Sequence, residues 1–499
     1  MSTIHFSTEN PPKAISSVAE AAAVLAPPPK NNHLIGVEAE ALLVDAKNAT
    51  PLTGQHFPGI LAAYKRVAGF GDYLLEGSTF IGLTNGFGLH AGADITVEPG
   101  FQPEYGGAPK TNLHQIAQGL NKHLHQLAWV AAASGFRVTM PGLYPLAAGH
   151  NLPLIGKERY AHMSEQALKK SGADGLTAMR GTTGVQYNLD TDRDSWERLY
   201  RVAFALQPFS SALSTNSPYK AGINTGDASH RSVLWFKNWG GNWAQGLAET
   251  VFAKDFSLPK LTGYIAEHLP LPFLVRPNEQ GGLNYIKLDH GKTFSELLQN
   301  RPTALGDLNE SDVGAMVGFA FLPVKPKKHG VIELRGADGS YPLRLAQGAL
   351  PVGILYDAQA LAEAEDLLKD LNATRYTELN NAVIRSGLNA TVTGLGPVRE
   401  IAQRLITIAQ GGLERRGLEE GLYLEPFAEI AAGERLTPGE EFAKHVDVLK
   451  QNNPRLSLRD AVKQAFLETA IPTPVSPSLQ SERTLLRKNA PLFSNLAIS

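Results

Sequence analysis

Several glutamates of this chain lie inside apolar or glycine-rich segments that are typical of buried strands. They are Glu38 and Glu40 in IGVEAEALLV, Glu98 in ADITVEPG, Glu104 in FQPEYGGAP and Glu333 in GVIELRGAD. Because side chains alternate along a strand, Glu38 and Glu40 face the same side of their sheet. Removing an unpaired carboxylate from water costs several kcal/mol, so a fold that buries these residues must bring positive charge to them.

A divalent cation would resolve the repulsion between such carboxylates. Mg²⁺ prefers oxygen ligands and usually shares its coordination shell with the phosphates of a substrate. Gln186 and Asn188 also share one strand face, in GVQYNLD. The alternative is that each glutamate faces solvent or pairs with an arginine, and spacing alone does not show which strands are neighbours.

The order of the predicted elements favours an α+β fold. Strands are predicted at 34–44, within 74–100, at 182–190 and at 330–335, and helices at 113–134, 194–206, 343–371 and 395–411. Pro208 is expected to bound the helix at 194–206. The strands and helices do not alternate regularly, so a parallel doubly wound sheet is not expected.

Charge and cysteine content exclude several classes of protein. The chain has 46 basic and 48 acidic residues, so no basic field would attract nucleic acid or an anionic membrane. It has no cysteine, which excludes disulfides and thiolate chemistry. The segment MSTIHFSTENPPKAISS lacks the features of a signal peptide, and no apolar run approaches the roughly 20 residues that span a bilayer. We expect a cytoplasmic protein without nucleic-acid or membrane partners.

A set of motifs in this chain resembles glutamate–cysteine ligase of the plant and proteobacterial type. The resemblance extends from about Ile35 to about Phe442. It rests on GVEAE (36–40), EGSTFIGLTNG (76–86), TVEPGFQPEYGGAP (96–109), KERYAHM (157–163), MRGTTGVQYNLD (179–190), FALQPFSSALSTNSPY (204–219), HRSVLW (230–235), ELRGADG (333–339) and GGLERRG (411–417).

The resemblance implies a fold similar to glutamine synthetase, with a curved antiparallel sheet and helices packed behind it. It also implies an ATP- and Mg²⁺-dependent ligase that joins glutamate to cysteine through a γ-glutamyl phosphate, the first step of glutathione biosynthesis. The alternatives are a γ-glutamyl ligase for a different amine and a non-catalytic nucleotide-binding homologue. We expect a lead-in at residues 1–32, a catalytic domain at 33–470 and a mobile tail at 471–499.

The resemblance further assigns roles to individual residues. It implies metal ligands at five positions, cofactor-binding side chains at two, phosphoryl-neutralising arginines at two, and a pocket for glutamate formed by an arginine and a tryptophan. These residues are, in that order, Glu38, Glu40, Glu98, Glu104 and Glu333; Gln186 and Asn188; Arg180 and Arg335; Arg231 and Trp235. Each arginine could instead form a structural ion pair, and Trp235 could be a core residue.

The chain departs from the family pattern beside the presumed site. Ala39 stands between the two glutamates where the family commonly has histidine, and Phe101 and Pro103 alter the second motif. Gly181 and Gly184 replace bulkier or thiol-bearing residues. The acidic residues are retained, so we expect these changes to reshape the pocket for the amine.

Overall fold

The computed structural model describes residues 13–30, 33–239, 243–277, 283–288, 291–300 and 305–474. The expected tail at 471–499 lies outside these ranges from residue 475 onward, and the expected lead-in lies outside them at 1–12 and 31–32. None of the helices in these ranges is long and apolar enough to cross a membrane.

The strands are short and are distributed along most of the chain. In chain order they are β1 (Ile35–Glu40), β2 (Leu42–Asp45), β3 (Phe70–Glu76), β4 (Thr79–Gly86), β5 (Asp94–Val97), β6 (Pro103–Lys110), β7 (Phe136–Thr139), β8 (Val185–Leu189), β9 (Tyr219–Lys220), β10 (Ile223–Asn224), β11 (Phe273–Pro277), β12 (Leu283–Lys287), β13 (Val324–Pro326), β14 (Ile332–Leu334), β15 (Thr391–Val392) and β16 (Gly396–Pro397).

The helices lie between these strands and dominate the second half of the chain. They are α1 (Val18–Leu25), α2 (Phe57–Ala68), α3 (Leu113–Ala133), α4 (Glu158–Gly181), α5 (Trp196–Leu213), α6 (His230–Ser232) with a π-helical continuation (Val233–Trp239), α7 (Trp243–Phe252), α8 (Leu258–His268), α9 (Phe294–Gln299), α10 (Glu310–Gly318), α11 (Ala346–Leu355), α12 (Ala358–Leu368), α13 (Ala373–Ser386), α14 (Val398–Arg416), α15 (Glu425–Ala432), α16 (Pro438–Asn452) and α17 (Leu458–Glu468).

Eight of the strands form one sheet in the order β13-β14-β8-β1-β6-β5-β4-β3. Every neighbouring pair in this sheet is antiparallel. The prediction of an α+β fold built on an antiparallel sheet is therefore confirmed. Strand β1, which carries Glu38 and Glu40, lies near the middle of the sheet between β8 and β6.

One face of the sheet is apolar and is covered by helices. Tyr105 of β6 and Tyr187 of β8 are 2% and 1% exposed on this face. Glycines on the covering helices allow the close approach, since a Cβ at Gly119 of α3 would lie 2.9 Å from the Tyr105 hydroxyl oxygen. A Cβ at Gly348 of α11 would lie 2.1 Å from the Tyr187 ring. Because the helices occupy this face, the opposite face is left for the carboxylates.

Helix α5 differs from its prediction at the C-terminal end. Pro208 was expected to bound the helix, but α5 continues through it to Leu213. A proline inside a helix removes one backbone hydrogen bond. Burial of the residues around it offsets this loss, because Leu206, Phe209 and Leu213 are fully buried in the main hydrophobic core.

Candidate functional site

Cross-strand pairing collects polar side chains on the uncovered face of the sheet. Glu40 of β1 pairs directly with Glu104 of β6, and Glu38 pairs with Gln186 of β8. One strand further on, Asn188 of β8 pairs with Glu333 of β14. Directly paired residues of an antiparallel sheet point to the same face. The face thus joins residues from four separate parts of the chain, a convergence that sequence spacing does not reveal.

At the β14 end of this face, two glutamates are held by cations. The Lys327 ammonium donates to Glu38 Oε1, Asn188 Oδ1 and Glu333 Oε1, each at 2.9 Å. Arg335 Nη1 donates to Glu333 Oε2 at 2.7 Å. Burial disfavours the charged form of both carboxyl groups and would raise their pKa values. The charges of Arg335 and Lys327 nevertheless hold the pKa of Glu333 well below its usual range, and Lys327 lowers the pKa of Glu38.

At the other end, Glu40 has neutral hydrogen-bond donors. The Gly184 amide donates to its Oε2 at 2.7 Å, and Gln186 Nε2 donates to its Oε1 at 3.1 Å. Burial and the negative charges of Glu104 and Glu98 raise the pKa of Glu40 to about 8. These neutral donors do not cancel the negative charge of the Glu40 carboxylate, so a cation bound at this position would balance it.

Glu104 and Glu98 complete this second group of carboxylates. Thr96 donates its hydroxyl to Glu104 at 2.7 Å, and Tyr160 of α4 donates to Glu98 at 3.2 Å. Burial raises the pKa of Glu104 to about 7, and the charge of Glu98 adds to the effect. The Lys157 ammonium lies close by and donates to the Val97 carbonyl at 2.7 Å.

The five predicted metal ligands thus form two groups rather than one. In the described ranges, no three His, Asp or Glu side chains are grouped closely enough to hold a metal ion as they stand. Glu38 and Glu333 already have cationic partners. Glu40, Glu98 and Glu104 supply oxygen donors; burial and then their mutual repulsion raise the pKa of Glu40, and this donor set fits Mg²⁺.

Arg231 lies beside the second group and is 6% exposed. Its guanidinium donates to the Arg335 carbonyl at 3.2 Å and to the Gly336 carbonyl at 3.5 Å, while its buried Nε–H has no partner. Gly184 makes room for it, since a Cβ there would lie 2.9 Å from Arg231 Nη2. A buried guanidinium with a spare donor next to this cluster is suited to bind a substrate carboxylate.

Asp338 is a site residue that the sequence analysis missed. It is 1% exposed and accepts hydrogen bonds from the backbone N–H of Asn216 at 2.8 Å and from the hydroxyls of Ser217 at 2.6 Å and Ser229 at 2.8 Å. The Ser217 hydroxyl in turn accepts the backbone N–H of Arg231 at 3.1 Å. Asp338 therefore holds in place the two segments that position Arg231, one at Asn216 and Ser217 and the other at Ser229. The sequence signal that could have identified it is its position in the motif ELRGADG, where it follows the site residues Glu333 and Arg335.

The two predicted phosphoryl-binding arginines occupy different surroundings. Arg335 Nη1 donates to Gln186 Oε1 at 2.7 Å as well as to Glu333, so it lies on the carboxylate face. The Arg180 guanidinium instead contacts the Ser164 hydroxyl at 3.1 Å and the Leu152 carbonyl at 3.5 Å. These contacts orient Arg180 toward the packing of α4 rather than toward the glutamates.

Trp235 borders the site through its indole. Its Nε1–H donates to the Thr182 hydroxyl at 3.2 Å, and its ring lies 4.8 Å from that of Phe321. It also packs on a small cluster with Leu143 and Leu234. Trp235 thus combines a core contact with a position next to the segment that leads to Gly184.

The residues that depart from the family pattern do not contribute equally to the site. Ala39 is fully buried and pairs with Tyr105, so its side chain lies on the apolar face. The Phe101 ring packs 5.5 Å from that of Phe57, inside the core. A Cβ at Gly181 would meet Leu152 at 2.9 Å, whereas Gly184 alone of these borders Arg231 and Glu40.

Comparison with known proteins identifies a family. Residues 34–439 match the family model described as glutamate–cysteine ligase family 2. The chain is 32% identical over 419 residues to glutamate–cysteine ligase A of Oryza sativa subsp. japonica, covering 83% of this chain and 80% of that protein. It is 31% identical over 418 residues to the ligase of Arabidopsis thaliana, covering 83% and 76%.

A solved structure shows the same fold. It is the glutamate–cysteine ligase of Francisella tularensis in complex with AMP, with a TM-score of 0.50, 12% identity, and coverage of 94% of this chain and 96% of that chain. The two plant relatives are named as chloroplastic, so the expectation of a cytoplasmic protein is wrong. That expectation rested on the lack of signal-peptide features and of a long apolar run, which do not identify a compartment.

Proposed function

The chain belongs to glutamate–cysteine ligase family 2, and we propose that it joins the γ-carboxylate of glutamate to the amine of cysteine with conversion of ATP to ADP and phosphate. The product is γ-glutamylcysteine, and the reaction is the first step of glutathione biosynthesis. The observation that carries this proposal is the pairing of Glu40 with Glu104 on one sheet face, with the Arg231 guanidinium of α6 beside Glu40 at Gly184.

The reaction proceeds through two substitutions. An oxygen of the glutamate γ-carboxylate attacks the γ-phosphorus of ATP, the bond to the β–γ bridging oxygen breaks, and ADP leaves. The cysteine nitrogen then attacks the acyl carbon of the γ-glutamyl phosphate and loses a proton. Collapse of the tetrahedral intermediate releases phosphate, which carries away one oxygen of the original carboxylate. Phosphoryl transfer of this kind depends mostly on positioning and charge neutralisation.

Arg231 serves in this scheme as the group that binds a carboxylate of glutamate. Its spare Nε–H and its fixed guanidinium plane favour a planar, bidentate partner. Binding at this position holds the substrate beside the carboxylate face while its γ-carboxylate remains free to react. Trp235 forms a wall near the same pocket through its contact with Thr182.

Arg335 serves to neutralise the transferring phosphoryl group. Both of its side-chain contacts to the site, with Gln186 and Glu333, use Nη1. A guanidinium carries five N–H donors, so the remaining ones can face phosphate oxygens. Arg180, which contacts Ser164 and Leu152, has a structural role in this proposal.

Glu40, Glu98 and Glu104 are the residues that would hold Mg²⁺. Mg²⁺ held by these residues would supply neutralisation of the charge that develops on the transferring phosphoryl group. Gln186 orients Glu40 through its amide, and the Gly184 amide does the same from the opposite oxygen. These contacts set the direction in which the carboxylate presents its free lone pairs.

An isotope experiment tests the proposed chemistry. Glutamate labelled with ¹⁸O in its γ-carboxylate is incubated with the protein, ATP, MgCl₂ and cysteine, and the released phosphate is analysed by mass spectrometry. One ¹⁸O atom per phosphate is expected, because the acyl phosphate passes its bridging oxygen to phosphate. Unlabelled phosphate, formed together with the peptide product, would rule out the acyl phosphate route.

A further inference from the structure

Lys327 is a cation whose placement next to the two glutamates at the β14 end was not expected from the sequence. It lies at the start of the turn that joins β13 to β14, in the segment VKPKKHGVIEL. Its ammonium contacts Glu38, Asn188 and Glu333 at the same distance of 2.9 Å. These three acceptors belong to three neighbouring strands, so one side chain bridges β1, β8 and β14.

The backbone around Lys327 is fixed. Its N–H donates to the Val331 carbonyl at 2.8 Å, which closes the β13–β14 turn. Gly330 in that turn lies so close to Pro27 that a Cβ would be only 2.1 Å from it, and the Thr191 hydroxyl donates to the Gly330 carbonyl. The ammonium is therefore delivered to the glutamates by a braced hairpin rather than by a mobile surface side chain.

The ammonium has no donor left for another ligand. A lysine side chain carries three N–H bonds and no acceptor. The three contacts to Glu38, Asn188 and Glu333 use all of them. A role in binding phosphate is thus disfavoured, and the geometry is that of a positive ion coordinated by oxygen atoms from the protein.

The two ends of the carboxylate face consequently differ in charge. The negative charges of Glu38 and Glu333 are balanced by Lys327 and Arg335. A third cation, the Lys325 ammonium, lies 3.7 Å from Glu333 Oε2. Glu40, at the opposite end, instead accepts hydrogen bonds from two neutral groups, the Gly184 backbone N–H and the Gln186 side-chain amide. A divalent cation placed between Glu38 and Glu333 would face three positive side chains.

We propose that the Lys327 ammonium is the resident cation of Glu38 and Glu333, and that divalent cations enter the site only at Glu40, Glu98 and Glu104. Lys327 replaces a metal ion at this end of the sheet and holds β1, β8 and β14 in register. The inference rests on the proposed function, since that function supplies the need for Mg²⁺. It assigns two of the five predicted metal ligands to lysine binding.

The test measures binding of Mn²⁺ alone, without nucleotide, glutamate or cysteine. The full chain is titrated with MnCl₂, and free Mn²⁺ is read from its electron paramagnetic resonance signal. Glu104→Gln should weaken Mn²⁺ binding at least tenfold, whereas Glu38→Gln should leave its affinity within about twofold, because a neutral amide still accepts from Lys327. Lys327→Met should add one Mn²⁺ per chain, and the double variant Lys327→Met, Glu38→Gln should lose it again.

Matched variants keep the outcome decisive. Lys328→Met removes the neighbouring lysine, whose side chain lies along Gly314, and should bind Mn²⁺ as the unmodified protein does. Lys327→Arg keeps the charge and should add no Mn²⁺. If Lys327→Met does not fold, the comparison of Glu38→Gln with Glu104→Gln still decides. Equal weakening by these two variants, or no added Mn²⁺ in folded Lys327→Met, overturns the proposal. Because no turnover is measured, a failure of the proposed function would appear separately, as absence of product.

Discussion

Replacement of Asp338 tests whether a buried carboxylate, rather than the local helix, positions Arg231. Asp338→Ala removes the acceptor of three hydrogen bonds, from the backbone N–H of Asn216 and the hydroxyls of Ser217 and Ser229. Asp338→Asn is the matched variant. Its amide oxygen can accept from Asn216 and Ser217, and its NH₂ group can donate to Ser229, because a hydroxyl both donates and accepts.

The expected loss in the free energy of unfolding follows from the burial of Asp338 and from the number of hydrogen bonds that it accepts. A hydrogen bond to a charged group contributes about 1.5–3 kcal/mol, and breaking a buried charged contact costs about 3–5 kcal/mol in total. The two serine hydroxyls can find other partners, whereas the backbone N–H of Asn216 cannot, because the side chain of Asn216 donates to the Gly339 carbonyl and holds the residue in place. We therefore expect Asp338→Ala to lower the free energy of unfolding by about 3–4 kcal/mol and Asp338→Asn by about 1 kcal/mol.

The assay separates a positioning role from loss of stability. Each variant is measured by urea denaturation and by steady-state kinetics at a temperature where it is fully folded. Displacement of Arg231 by loss of the Ser217 contact should raise the KM for glutamate at least tenfold, about 1.4 kcal/mol, in Asp338→Ala. The KM for cysteine should change much less, and Asp338→Asn should restore most of the glutamate affinity. Equal changes in both KM values, or none in a destabilised Asp338→Ala, would refute the reasoning.

Three further predictions address the same region. Between pH values of about 5 and 8, folded Glu40, with its pKa of about 8 against an ordinary 4.5, retains a proton that the unfolded chain has lost. The free energy of unfolding of the metal-free protein should thus fall as pH rises through this window, and MgCl₂ should raise Tm more at pH 8.5 than at pH 6; an equal rise at both would contradict the assignment. Gly184→Ala places a Cβ 2.9 Å from Arg231 Nη2, so the KM for glutamate should rise by about tenfold, as expected for overpacking of 1–3 kcal/mol, while far-ultraviolet circular dichroism stays unchanged. Phe101→Ala should cost about 3–5 kcal/mol in urea denaturation and leave the ranking of amine acceptors as it was, because the ring packs on Phe57; an altered ranking would show that Phe101 lines the acceptor pocket after all.

Local pattern predicted which side chains share a face but not which strands meet. The spacing of two residues placed Glu38 and Glu40 on the same side of β1, and the structure agrees. The pairing of Glu40 with Glu104, and of Glu333 with Asn188, depends on contacts between distant parts of the chain. Such register is set by the burial of whole faces, so no local rule could supply it.

The residues that the sequence analysis missed have ordinary local surroundings. Lys327 lies in KPKKHG, which has the composition of a surface turn. In the antiparallel hairpin, Lys325 pairs directly with Glu333, and this pairing carries Lys327 to the same face. The continuation of α5 through Pro208 was likewise missed, because tertiary burial outweighed the local preference of proline.

Other predictions depended on the resemblance to a known family rather than on the physics of folding. The family and its antiparallel fold were predicted from motifs in the correct order, and the comparisons confirm both. The compartment was predicted wrongly, because the lack of signal-peptide features and of a long apolar run does not identify the compartment to which a receptor directs a protein. The reshaping of the amine pocket stays a prediction; among Ala39, Phe101, Gly181 and Gly184, only Gly184 borders Arg231 and Glu40.

The central claim, formation of γ-glutamylcysteine, is tested most directly by product identification. The protein is incubated with ATP, MgCl₂ and glutamate, together with cysteine or one of a panel of other amines, and ADP and the γ-glutamyl product are quantified by mass spectrometry. We predict that cysteine gives γ-glutamylcysteine and ADP in equal amounts. A γ-glutamyl product from another amine but none from cysteine, or no ADP with any amine, would contradict the account.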